Sequence, residues 1–179
     1  EMGREVAREL KASALNLCGR FSIKELAEFF ACLDILITPD TGPMHVAAWT
    51  GAPTLNLSMG PVNAWETGPF APGHLVLRSN LSCAGCWECS HERVLCKESL
   101  KAADLVPLIQ TLLTKGVEAA ASRPLPGWDI LVTGRDRYGL YTLPSQSEGG
   151  QAPSANLSLS RVWPAFFGCA LRPMPHASP

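Results

Sequence analysis

The chain has 179 residues, enough to bury the core of one ordinary domain and carry an appendage. A hydrophobic fraction of 46% with 17% charged residues is typical of a globular protein, and no run approaches the ~18 apolar residues of a membrane span. A net charge of -1 and a pI near 6.5 exclude a broad basic surface, and with it electrostatic binding of nucleic acid.

Residues Glu1 to Leu10 have Val6, Ala7 and Leu10 on one helical face and charges on the other. With no initiator Met, no cap and no signal-peptide pattern before this helix, we expect the chain to begin inside a larger protein. Leu15 to Cys18, ended by Gly19, predicts a short strand, and Cys18 and Cys32 are expected as small buried hydrophobes. Ser22 and Glu25 have capping-box spacing and open a helix carrying Ile23, Leu26, Ala27, Phe30 and Ala31. Ile35 to Thr38 is β-branched and continuously apolar, the pattern of a strand buried on both faces.

Pro39-Asp40 ends that strand. Pro43 suits the first turn of a helix running to Trp49 and closed by Gly51, and Thr54 to Leu57 is the next strand. Strand, helix and strand at these spacings predict an α/β fold with a parallel sheet. Gly60-Pro61, Gly68-Pro69 and Pro72-Gly73 punctuate a long loop before a short strand at Leu75 to Leu77. A Cys-rich loop at 82–97 follows, then an amphipathic helix from Ser99 to Leu113 with Pro107 inside it. The composition shifts near Arg123, which predicts a main domain of residues 1–122 and an extension of residues 123–179. In that extension Ile130 to Val132 is expected to pair with Leu140 to Leu143 as a hairpin. Ser145 to Ser158 is expected to be disordered, and the apolar stretch Trp163 to Leu171 to dock.

The local chemistry concentrates at Asp40, Thr41, Gly42, Pro43, Met44 and His45. In an open parallel sheet ligands bind beyond the carboxyl ends of the strands, where helix N-termini present free N–H groups. Gly42 permits close backbone approach, Thr41 offers a hydroxyl to a phosphate, and His45 stands in the first turn. Asp40 repels a phosphate but suits sugar hydroxyls, so the segment forms a divided elbow for sugar and phosphate. The competing reading is a plain helix cap at Asp40 or Thr41, with His45 packed in the helix.

From Asn16 to Leu77 the chain resembles glycosyltransferase family 9, the ADP-heptose:lipopolysaccharide heptosyltransferases. The similarity is carried by Leu17-Cys18-Gly19, Ser22 to Ala27 and the unbroken stretch Asp34 to His45. It continues in Ala47-Ala48, Gly51-Ala52-Pro53, Gly60-Pro61 and Thr67-Gly68-Pro69, and it does not extend to the last fifty or so residues. The resemblance implies the Rossmann-like C-terminal, donor-binding domain of a GT-B glycosyltransferase, with a Cys-rich loop and a small C-terminal appendage. It implies that Asp40, Thr41, Gly42 and His45 contact the diphosphate and sugar of a nucleotide-sugar donor, ADP-heptose being expected, with Pro43 and Met44 as the surrounding backbone. A Glu that family members use for the nucleotide corresponds to Glu1 or Glu5, each of which is equally readable as a solvated helix residue.

The family is inverting and requires no cofactor or metal for catalysis. By resemblance the glycolipid acceptor and the catalytic base belong to the N-terminal domain, so no catalytic residue is named in this chain. The same resemblance implies a bacterial cytoplasmic enzyme at the inner face of the inner membrane, with peripheral membrane association of the full protein.

Seven cysteines, an odd number, favour a reducing compartment. Cys83, Cys86, Cys89 and Cys96 have the spacing to wrap a structural zinc or an iron–sulfur cluster, with His91 as a substitute ligand. The alternative is a loop of free or disulfide-paired thiols. Two rival functions remain at this stage: a non-catalytic nucleotide- or partner-binding module with a metal-bound Cys loop, and another GT-B enzyme such as a nucleotide-sugar epimerase.

Overall fold

The computed structural model describes residues 2–10 and 12–143. Helix α1 (Met2–Glu9) is followed by α2 (Ile23–Phe30), β1 (Leu36–Pro39), α3 (Gly42–Thr50) and β2 (Thr54–Ser58). The one-turn helix α4 (Ala64–Thr67), β3 (Leu75–Ser79), α5 (Leu95–Glu98), α6 (Ala102–Lys115), α7 (Val117–Ala121) and β4 (Trp128–Val132) come next. Two-residue strands β5 (Gly134–Arg135) and β6 (Tyr141–Thr142) close the described chain. The main sheet has the order β1-β2-β3-β4, with the first three strands parallel and β4 antiparallel to β3. This is the α/β fold expected from the alternating pattern. No helix among the described residues is long and apolar enough to cross a membrane.

Local signals explain most elements. Ser22 and Glu25 close the capping box of α2, each satisfying a backbone N–H of the other. The bonds from the Ser22 N–H and hydroxyl hold the Glu25 carboxyl below its usual range. Helix α3 ends at Gly51, whose φ of 80° places it in the left-handed region that favours glycine. Apolar side chains on both faces of the sheet then assemble the core. Leu55, Leu75 and Leu77 meet Leu108 and Leu112 of α6 and Ala120 and Ala121 of α7 on one face. Val76 and Leu131 meet Ala64 of α4 on the other, beside a smaller cluster of Phe30, Ala47 and Ala52.

Several expectations need correction. No strand forms at Leu15 to Cys18, where Leu15 is exposed, and both Cys18 and Cys32 are exposed rather than buried. The run is interrupted by the polar Asn16 and pairs with no strand of the sheet, so nothing holds it extended. Strand β1 is an edge strand with Ile37 exposed, so its apolar run does not mark burial on both faces. Residues 128–132, placed in an extension by composition, form the fourth strand of the main sheet. The expected hairpin therefore splits, and β6 pairs with β5 in a small separate sheet. The readings of Ser145 to Ser158 and Trp163 to Leu171 lie outside the described residues.

The β5–β6 hairpin packs back onto α4. The Tyr141 hydroxyl donates to the Ala64 carbonyl at 2.8 Å, and its ring stacks at 6.2 Å on Phe70. Gly68 makes this possible: a Cβ there would overlap the Tyr141 hydroxyl and lie 2.7 Å from the Ala64 carbonyl oxygen. Substituting Gly68→Ala is expected to cost about 1–3 kcal/mol by overpacking, measured by denaturant unfolding. An unchanged midpoint would show that the hairpin does not seat there.

His74, just before β3, is buried with both ring nitrogens unpartnered. Burial lowers its pKa below 6.5, and the opposing pull of the nearby Ala48 carbonyl is the smaller effect. The folded state therefore holds the neutral ring. Its contribution to stability is complete above pH 6.5 and declines as pH falls below that value, because the unfolded chain takes up a proton the folded one refuses. One such proton gives a slope of at most about 1.4 kcal/mol per pH unit. Urea unfolding of the wild type and His74→Leu between pH 7.5 and 5 should show the shallower slope in the variant. Equal slopes would remove His74 from the acid response.

Candidate functional site

The parallel pairing of β1, β2 and β3 brings their carboxyl ends to one edge of the sheet, and Asp40 stands directly beyond β1. Thr41 is the N-cap of α3, with φ -150° and ψ 164°, and its side chain makes no capping hydrogen bond. Its hydroxyl instead lies 3.3 Å from the Thr38 hydroxyl and 3.4 Å from the Pro39 carbonyl oxygen. The plain-cap reading of Thr41 therefore fails. The positive end of α3 carries no side-chain acceptor of its own, which leaves it suited to an external anion.

Gly42 opens the helix, and a Cβ built on it would meet nothing within 4 Å. Its backbone is thus approachable from solvent. Pro43 follows within the first turn, where its missing N–H costs no hydrogen bond. His45 is exposed, one turn into the helix, so the packed-residue reading of His45 fails as well. Met44 is different. Its side chain is wholly buried against the sheet, with Asn56 donating from Nδ2 to its sulfur at 2.8 Å, so only its backbone borders the elbow.

Asp40 is half-buried and accepts a hydrogen bond from the Thr67 hydroxyl of α4. That hydroxyl is also 3.1 Å from the Asn63 carbonyl oxygen, and with one proton it serves one acceptor at a time. Asn63 caps α4 by accepting from the Trp65 N–H at 3.2 Å. Tyr141 belongs to the same neighbourhood. Burial raises its phenol pKa most, and the negative charge of Asp40 raises it further. Sequence reasoning singled out neither Thr67 for contact with Asp40 nor Tyr141 for any role. The motif Thr67-Gly68-Pro69 was a signal for the first, while no local pattern pointed to the second.

Arg78, near the carboxyl end of β3, is a further residue missed by motif reading. Its Nη1 donates to the Ser58 hydroxyl at 3.2 Å and to the Val62 carbonyl at 2.9 Å, and its guanidinium lies 5.4 Å from the Trp65 ring centroid. Desolvation lowers its pKa, and the Asp129 charge offsets part of that shift. These contacts tie the loop before α4 to the end of the sheet.

The Cys loop crosses the same region, with the Gly85 N–H donating to the Gly60 carbonyl at 3.1 Å. It does not gather its thiols. Cys96 is buried on α5, Cys89 is exposed and directs its thiol toward the His91 and Arg93 carbonyls at 3.6 and 4.0 Å, and Cys83 and Cys86 are half-buried. No group of three or more His, Cys, Asp or Glu side chains among the described residues has a metal-holding arrangement. The residues present do not fit a zinc or iron–sulfur site, so the expectation of a structural metal at Cys83, Cys86, Cys89 and Cys96 is unsupported. Spacing permits a metal site only if the backbone turns all four thiols inward, and one of them sits on a helix that faces the core. Of the two glutamates considered for the nucleotide, Glu5 is exposed on α1, a helix that buries none of its side chains, and Glu1 lies outside the described residues.

Comparison with known proteins places the chain in a family. Glycosyltransferase family 9 (heptosyltransferase) matches residues 1–95, just over half of the 179 residues. The chain is similar to lipooligosaccharide heptosyltransferase 2 of Campylobacter jejuni subsp. jejuni serotype O:2, with 29% identity over 112 residues covering 61% of this chain and 35% of the relative. The protein of the same name from serotype O:6 is 28% identical over 113 residues, covering 62% of this chain and 35% of the relative. The chain thus spans about a third of the length of these relatives. No solved structure matches it. With the elbow, its flanking strands and α3 all inside the matched residues, the chain belongs to glycosyltransferase family 9.

Proposed function

We propose that this chain is the donor-binding part of an inverting glycosyltransferase of GT-B architecture, which transfers heptose from ADP-heptose to a lipooligosaccharide-type acceptor. The observation that carries the proposal is the open elbow at the carboxyl end of β1. There an uncapped helix start, an unobstructed glycine and a carboxylate lie within consecutive residues.

The division of labour follows from charge. The N–H groups at the start of α3, with the Thr41 hydroxyl, face the diphosphate, and His45 adds a donor from one turn further on. Asp40, held by Thr67, accepts from the hydroxyls of the sugar. The acceptor hydroxyl attacks the anomeric carbon, and the bond from that carbon to the diphosphate oxygen breaks with its electron pair going to the leaving group. The proton goes to a carboxylate base supplied by another part of a family-length enzyme, which also supplies the acceptor pocket. The negative charge that grows on the leaving diphosphate is met by donors already oriented at the helix start, and this lowers the barrier without a metal. Such an enzyme works at the cytoplasmic face of the membrane that receives its glycolipid product.

Calorimetric titration of the 179-residue chain with ADP and with ADP-heptose tests the proposal. Asp40→Ala should weaken ADP-heptose by roughly tenfold, the loss of a charged hydrogen bond, and leave ADP nearly unchanged. His45→Ala should weaken both ligands alike. Gly42→Ala has room for its methyl group within the protein, so it should keep the unfolding midpoint of the wild type and lose affinity for both. Failure of the wild type to bind either ligand would sink the proposal, as would an Asp40→Ala variant that loses both equally.

A further inference from the structure

Helix α4 is one turn long, and a helix of four residues does not hold its own shape in water. It nonetheless carries Thr67, the side chain that donates to Asp40. Something outside α4 must therefore fix it. At its N-terminal side Asn63 caps it, and Arg78 holds the preceding Val62 carbonyl. At its core Ala64 is fully buried. Among the described residues, the hydrogen bond that reaches the helix from farthest along the chain is that of the Tyr141 hydroxyl to the Ala64 carbonyl, an oxygen that also accepts the Gly68 N–H at 3.2 Å. The Phe70 ring stacked on Tyr141, and Arg135 of β5 lying 5.7 Å from the Phe70 centroid, fasten the hairpin over this turn.

We propose that Tyr141 is a positioning residue of the donor site: its hydroxyl fixes α4, α4 fixes Thr67, and Thr67 fixes Asp40 toward the sugar. The β5–β6 hairpin is therefore a working part of the site, although it lies beyond the residues matched by the family. The inference rests on the donor-binding reading above and adds a residue to it. The two ends of this relay lie close enough for the charge of Asp40 to raise the pKa of the Tyr141 phenol, after the larger effect of burial. Orientation is sensitive at such sites, since a carboxylate displaced by a fraction of an ångström no longer meets the sugar hydroxyls it is meant to hold.

The test uses the 179-residue chain in four forms: wild type, Tyr141→Phe, Thr67→Val and the double variant. Tyr138→Phe, an exposed tyrosine of the same hairpin turn, serves as the control. Titration with ADP-heptose should show a three- to tenfold loss for Tyr141→Phe, a loss for Thr67→Val, and a double variant no worse than the poorer single one. Such non-additivity marks one relay, and a merely structural tyrosine gives additive losses. ADP affinity should stay within twofold of wild type in all forms. Amide hydrogen exchange, read without ligand, should accelerate at Thr67 and Gly68 in Tyr141→Phe and not in Tyr138→Phe.

Additive losses, an unchanged Tyr141→Phe affinity, or exchange rates equal to wild type would each overturn the inference while leaving the donor-binding reading intact. A wild type that binds no ADP-heptose would overturn that reading and the inference with it. If Tyr141→Phe does not fold, Thr67→Val alone must still lose ADP-heptose and spare ADP, and a loss of both would overturn the relay.

Discussion

The parallel register of β1 against β2, with Pro39 opposite Leu57, is the constraint on which the site depends. It places the end of β1 level with the end of β2, so Asp40 and the start of α3 emerge at the same edge as Ser58 and Arg78. A shift of one residue would turn the buried Thr38 outward and send the exposed Ile37 against α3. It would also move the elbow away from α4, breaking the contact between Asp40 and Thr67. The chemistry of the elbow is thus specified by six residues, but its position is specified by strand pairing and by the buried Met44 that seats α3 on Asn56.

Much of this was legible in the sequence because the determinants are local. Ser22 and Glu25 announce a capping box, Gly51 announces a helix end, and Thr54 to Leu57 follows that helix at the spacing of a strand-helix-strand unit. The elbow was legible for the same reason, since a strand, a Pro-Asp break and a glycine before a proline at a helix start are consecutive. What escaped was decided at a distance. Trp128 to Val132 is a strand by composition, but only the free edge of β3 determines that it joins the main sheet instead of a hairpin. Leu15 to Cys18 has a similar composition but pairs with no strand of the sheet, and it stays irregular.

The cysteines illustrate the limit of spacing as a signal. A metal site requires that side chains converge, which depends on the backbone path between them as much as on their separation along the chain. In this chain the loop follows Gly60 through a backbone bond at Gly85, and α5 turns Cys96 toward the interior. The loop is therefore tied by its backbone to Gly60, in the segment that follows β2.

Arg78 and Tyr141 show how the same edge divides its tasks. Burying a guanidinium costs desolvation, and Arg78 meets that cost with the Ser58 hydroxyl, the Val62 carbonyl and the face of Trp65. A cation so engaged gains little from binding a ligand and much from holding the loop that leads into α4. Tyr141 holds the same short helix through the Ala64 carbonyl. The two residues come from separate strands, one inside the family match and one beyond it, and they grip a turn too short to persist alone. Thr67 inherits its position from both, and Asp40 from Thr67. The segment Asp40 to His45 is packed on the side facing the sheet, where Met44 and the neighbouring Thr38 are buried. It stays open on the side facing solvent, where His45 is exposed and a Cβ on Gly42 would meet nothing within 4 Å.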